Sequence, residues 1–248
     1  MRFGVTGLLL LGAMPIGAAA QTAATPPPIT RTVVAVSKLP GVTDAPLHFK
    51  SMRIVLPAGA ASAVATAICI LYQVSGTTEV VVGSDTRILN PGDGLFIAGG
   101  KPAMLKAGGA EPSTLLNFLL LPATELDRSA AAAPAAVTEL YRTAAPIPDL
   151  KPGAYDINLT RVTFPPQMAS NPPHHRSGAA LYYIISGTGA NTIDGNTIAR
   201  QPGTLVYEPY DLVHQWGNPG TEPLTFLAFN INPEGVAAVL PGAPAKTP

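Results

Sequence analysis

The sequence predicts an all-β chain made of two tandem barrels, with a short helical segment between them. Three observations predict this. First, the chain contains itself twice: the stretch from Ile70 to Phe118 overlies the stretch from Leu181 to Phe229 without a gap, at the offset that carries Ser75 onto Ser186. Second, each copy is a series of short runs rich in β-branched and aromatic residues, such as "LYYIIS" and "LTFLAFNI". Third, 24 Gly and 27 Pro punctuate those runs in the manner of a sandwich or barrel.

The elements follow in chain order. Arg2, an apolar run from Phe3 to Ile16 and the small residues Ala18-Ala19-Ala20 have the pattern of a secretory leader over residues 1–20. Pro15 interrupts the run, which is short for a membrane span. A periplasmic or secreted protein is expected, with no membrane association after cleavage. Residues 21–44 read as an N-terminal extension whose Pro/Ala-rich start is expected to be mobile.

Residues 45–122 form the first barrel and residues 154–238 the second. Turn residues hold the two copies in register: Ser75-Gly76-Thr77 meets Ser186-Gly187-Thr188, Pro91-Gly92 meets Pro202-Gly203, and Pro112 meets Pro223. "IDGN" at 193–196 reads as a hairpin turn, its glycine free to take positive φ. Residues 123–153 read as an Ala/Pro-rich linker. Alanine favours helix, so a short helix is expected over Ala135–Arg142, after Pro134. Residues 239–248 read as a mobile Pro/Ala tail.

Composition narrows the function. Charged residues are 12% of the chain, with 15 basic and 15 acidic, so no basic stripe exists for nucleic acid or an anionic membrane surface. Cys69 is the only cysteine, which excludes an internal disulfide and a CxxC site. No G-x-S-x-G elbow and no P-loop occur. The expected partner is a small molecule, and a homodimer is compatible with this reading.

Three of the four histidines, His174, His175 and His214, fall in the second copy. There, "PPHHRSGAALYYIISG" and "PGTLVYEPYDLVHQWGN" resemble the two signature motifs of the cupin superfamily. The resemblance covers residues 154–233 and, through the repeat, 45–122. It implies double-stranded β-helix (jelly-roll) barrels, and a site in which His at i, His at i+2 and Glu at i+6 share one strand face with a later His. Such a set suits a divalent transition metal: iron, manganese, nickel or copper.

Counting back from Gly187, His174 takes the first histidine position, Arg176 the second and Ala180 the glutamate position. His175 has the opposite parity and faces outward unless a bulge shifts the strand. Two readings follow. In one, His174, His175 and His214 hold a metal, with Glu208 replacing the missing carboxylate. In the other, the pocket is metal-free, and Arg176 with His174 and His214 attracts an anionic ligand. If it is not a ligand, Glu208 faces solvent on an alternating strand or pairs with Arg176. Trp216 shares the face of His214 and can wall the pocket; Tyr183 matches Tyr72 of the first copy and reads as a core aromatic or a second ligand contact. In the first copy, His174, Arg176, Ala180 and His214 become Ala63, Ala65, Cys69 and Ala103, so that barrel reads as structural. The leading expectation is an exported bicupin that binds a small anionic molecule in its second barrel. The alternative is a metal-dependent oxygenase or isomerase acting on a small organic acid or phenolic compound.

Overall fold

The computed structural model describes residues 28–42, 45–64 and 67–242. The leader expected over residues 1–20 lies outside them, as do Ala65 and residues 243–248. In chain order the described residues form β1 (Thr30–Val42), β2 (Leu47–Leu56), β3 (Ala61–Val64), β4 (Ile68–Ser75), β5 (Thr77–Val82), β6 (Asp85–Leu89), β7 (Gly94–Ile97), β8 (Ala103–Gly108) and β9 (Ser113–Pro122). A 3-10 turn at Ala123–Glu125 and β10 (Ala136–Arg142) follow. The second copy brings β11 (Gly153–Phe164), β12 (His174–Arg176), β13 (Ala179–Ser186), β14 (Gly189–Ile193), β15 (Asn196–Arg200), β16 (Leu205–Glu208), β17 (His214–Gly217), β18 (Leu224–Pro233) and β19 (Val239–Pro241).

The repeat is structural. The offset that carries Ser75 onto Ser186 carries β4, β6, β7 and β9 onto β13, β15, β16 and β18 end to end. The matched turns explain the matched residues. Gly76 and Gly187 sit at φ 69° and 75°, and a Cβ on either would lie 2.6 or 2.5 Å from the carbonyl oxygen of Pro112 or Pro223. Only glycine fits such a backbone against so close a neighbour.

Each barrel is a pair of antiparallel sheets. In the first, the order β10-β2-β9-β4-β7 packs on β3-β8-β5-β6; in the second, β1-β11-β18-β13-β16 packs on β15-β14-β17-β12-β19. The two long sheets also pack on each other, back to back. Along β9 the alternation is plain: Leu115, Leu119 and Leu121 fill the first barrel, while Leu116, Phe118 and Leu120 face the second. Phe229 answers from β18, its ring 5.6 Å from Phe118 and 5.0 Å from Phe49. A strand buried on both faces has no polar alternation to show, which is why "STLLNFLLLP" reads as one apolar run. Each such aromatic contributes about 1.5–3 kcal/mol by leaving water.

The linker is not helical. Ala136–Arg142 is a strand, paired antiparallel with β2 through Val137↔Ile54 and Arg142↔Lys50. Val137, Thr138 and Tyr141 favour the pleat, and β2 offers an open row of backbone partners that outweighs the helix preference of alanine. The N-terminal extension is also built in. β1 pairs with β11 of the second copy, from Thr30↔Thr163 to Val42↔Gly153. The two barrels thus exchange strands: the strand preceding each copy completes the long sheet of the other. The start of the expected C-terminal tail is ordered too, since Val239–Pro241 pairs with β12.

Candidate functional site

The two barrels differ inside. The first is filled by Met52, Leu71, Leu105, Leu119 and Leu121, with Cys69 and Ala103 among them. Burial pushes the Cys69 thiol up to about 12, so it stays protonated and inert. The second barrel keeps a cavity of about 800 Å³ between its two sheets. Substitutions at matching positions account for part of the difference: Ile97 becomes Glu208 and Leu119 becomes Asn230.

The polar part of the cavity follows one row across the sheet. Asn158 stands opposite Asn230, Asn230 opposite Ala180, and Ala180 opposite Glu208. Directly opposed residues share a face. Asn230 Nδ2 donates to Asn158 Oδ1 at 2.8 Å. Arg176 arrives from β12 on the facing sheet and bridges the gap above Ala180. Its Nε donates to Glu208 Oε2 at 2.8 Å and its Nη1 reaches Asn230 Oδ1 at 3.4 Å. Its guanidinium carbon lies 5.0 Å from the centre of the Tyr182 ring. Trp216 Nε1 donates to Glu208 Oε1 at 2.7 Å, and His214 Nε2 lies 3.0 Å from Oε2. That last contact is off the line of a hydrogen bond, and the buried Nε2 has no hydrogen-bond partner among the described residues.

Glu208 is fully buried, which by itself raises the pKa of a carboxyl group. The Arg176 charge, the His214 ring beside it and the Trp216 N–H outweigh this and hold it down to about 2. His174 faces His214 across the β12–β17 pair, ring centres 4.3 Å apart. Its Nδ1 lies 3.0 Å from the Pro172 carbonyl, and the His214 Nδ1 lies 2.8 Å from that of Leu212. A carbonyl only accepts, so each Nδ1 carries a proton and donates. The pKa of His174 is lowered, first by burial and then by His214 and Arg176, against the opposing pull of the Pro172 carbonyl.

The structure therefore brings together His174, Arg176, Glu208, His214 and Trp216. It separates two residues named from the sequence. No bulge turns His175 inward: it pairs with Leu240 on β19, and its ring lies 3.0 Å from Asp211 on the other side of the strand. Tyr183 packs into the core between the barrels. Tyr182 takes its place, lining the cavity and stacking on Phe226 at 4.6 Å. Parity was the available signal, since Tyr182 shares the face of Ala180. Asn230 and Asn232, two residues apart in an apolar run, were a second signal. The contribution of β1, through Arg31, Val33 and Val36, had none. Asn218 closes a turn, accepting from Gly220 N at 3.0 Å.

A family profile described as a cupin domain matches residues 160–230, from β11 into β18. Residues 160–230 thus carry a cupin domain. Several solved structures share the fold of the chain. Oxalate decarboxylase from Bacillus subtilis aligns at 18% identity over 81% of this chain and 73% of its own, with a TM-score of 0.54. AerE from Microcystis aeruginosa aligns at 16% over 73% and 86%, with a TM-score of 0.52. Salicylate 1,2-dioxygenase from Pseudaminobacter salicylatoxidans aligns at 12% over 73% and 70%, with a TM-score of 0.51. No curated protein sequence matches the chain.

The metal that the cupin signature implies does not fit the residues present. His174 and His214 could each offer Nε2. The third candidate, Glu208, has one oxygen taken by Trp216 and the other by Arg176. The guanidinium at the second histidine position cannot ligate and repels a cation. Among the described residues no three His, Cys, Asp or Glu side chains are grouped to hold an ion.

Proposed function

We propose that this cupin is an exported binding protein for a small organic anion, held by its carboxylate at Arg176 in the second barrel. One observation carries the reading: a guanidinium lines the cavity, held in place by Glu208 and Asn230 through Nε and Nη1, while Nη2 has no partner among the described residues. A preorganised fork of this kind recognises a carboxylate through charge-assisted hydrogen bonds. Two of the similar structures are named for small carboxylates, oxalate and salicylate. The leader-like start, Arg2 followed by an apolar run and Ala18-Ala19-Ala20, supports export.

Trp216, the only tryptophan in the chain, lines the cavity and reports on it. Titration with benzoate should change its emission saturably. The change should disappear in Arg176→Met/Glu208→Gln, which removes both charges and leaves no buried ion unpaired. Unaltered emission and no heat of binding for benzoate or its alkyl derivatives would reject the reading. The competing reading, a metal-dependent oxygenase or isomerase, draws on the two Nε2 atoms of His174 and His214. Metal analysis of protein purified without an affinity tag separates the two. One equivalent of transition metal, lost in His214→Ala, would decide for the enzyme.

A further inference from the structure

We infer that the ligand is long and amphipathic, with its carboxylate at Arg176 and an apolar body crossing the cavity to the valines of β1. This rests on the carboxylate-binding reading above and adds the chemical class of the ligand.

Size is the first argument. A cavity of about 800 Å³ is large even for a drug-sized molecule, and a single benzoate would fill a small part of it. The second argument is the order of the lining. The polar row Asn158–Asn230–Arg176 lies beside an aromatic cluster in which Phe226 contacts Phe164, Tyr182 and Trp216 at ring separations of 5.7, 4.6 and 5.3 Å. Beyond β11, at the far edge of the same sheet, Val33 and Val36 line the cavity, each 61% exposed, with Val239 at 41% across the mouth. Exposed valines gathered around one opening are apolar surface waiting to be covered.

The third argument is a break in the alternation. Val33 and Val36 are three residues apart, so on a regular strand they would face opposite ways. A register shift between Val33 and Ala35 puts both toward the cavity. Val34 and Ala35 turn the other way, into the core between the barrels. The irregularity thus gives β1 two cavity-facing valines without removing its grip on the interface. Along the sheet, β1 is three strand spacings from β13, about 14 Å. A ligand that reaches both Arg176 and the valines must be longer than benzoate.

The test is a series from benzoate to 4-heptylbenzoate, followed by Trp216 emission and calorimetry on the full chain. Affinity should rise about two- to fourfold per methylene until the chain reaches β1. Val33→Asn/Val36→Asn should weaken 4-heptylbenzoate about tenfold and benzoate less than twofold. Both positions are exposed, so the thermal unfolding of this variant should match wild type. Asparagine is neutral, so the loss could not come from charge repulsion. Saturable benzoate binding with no gain along the series, or equal losses for both ligands in the variant, would overturn this inference and leave the carboxylate reading standing. No binding of any member would reject both.

Discussion

Ala180 stands directly opposite Glu208 in the β13–β16 ladder, and Arg176 spans the space above that methyl group to reach the carboxylate. The side chains of the pair are 6% and 0% exposed. Removing one partner strands the other as a buried charge, which costs about 3–5 kcal/mol. Glu208→Gln should therefore lose stability of that order in urea unfolding, and so should Arg176→Met. The double variant should recover most of the loss. Simple addition of the two losses would mean that the groups do not act as a pair.

Arg176→His would put two imidazoles on one face of β12 and remove the fixed positive charge. Affinity for divalent manganese, nickel or iron should rise. It should rise further with Ala180→Glu, which adds a carboxylate between Asn230 and Glu208. Isothermal titration measures both. A wild-type protein that binds these metals as tightly as the double variant would contradict the inward position of Arg176.

Stability should fall in two stages on acidification. The pKa of His174 is lowered from an ordinary 6.5, so the folded state refuses a proton that the unfolded chain accepts. Its share is complete above about pH 6.5 and declines below it. Glu208 sits at about 2, down from 4.5. Its share is complete above about pH 4.5 and is lost as the pH falls toward 2. Urea unfolding across this range should show both limbs, with His174→Gln flattening the first and Glu208→Gln the second.

Gly189 packs against the Trp216 ring, which lines the cavity. A Cβ there would lie 2.7 Å from the Trp216 ring and 3.1 Å from Leu224. Gly189→Ala should cost about 1–3 kcal/mol through overpacking and should shift Trp216 emission. An unchanged spectrum would show that the ring does not bear on this strand.

Residues 21–127 expressed alone should be poorly soluble. In that fragment β1 has lost β11, β2 has lost β10, and Phe49, Leu116, Phe118 and Leu120 are uncovered. A soluble, cooperatively unfolding fragment would count against the exchange of strands as a source of stability.

The barrels were legible in the sequence because turn chemistry is local. Gly76 and Gly187 mark the same turn wherever the chain goes next. The inward set His174, Arg176 and His214 was legible for a similar reason, since alternation along a strand needs no tertiary knowledge. What failed was long-range. The fate of Ala136–Arg142 was decided by an open edge on β2, some eighty to ninety residues earlier, which alanine propensity does not record. β1 carried no mark of its partner β11. Of the two places open to Tyr183 the structure takes the core, and the parity of Ala180 points to Tyr182 as the aromatic that lines the cavity. Glu208 stands out in the sequence as a charge in the apolar run "LVYEP", but its neutralisation by Arg176 depends on which strands become neighbours.

The exchanged strands also change what a break in the chain would mean. Residues 123–135 are the covalent bridge between the barrels, yet a single cut there would not part them. The N-terminal piece would still hold β11 through β1, and the C-terminal piece would still hold β2 through β10, with Phe118 and Phe229 locked between. In a compartment where proteases meet the folded protein, a nick in that bridge would leave the two pieces as one clasped body, with Ala130 and Ala131 still packed in the first barrel.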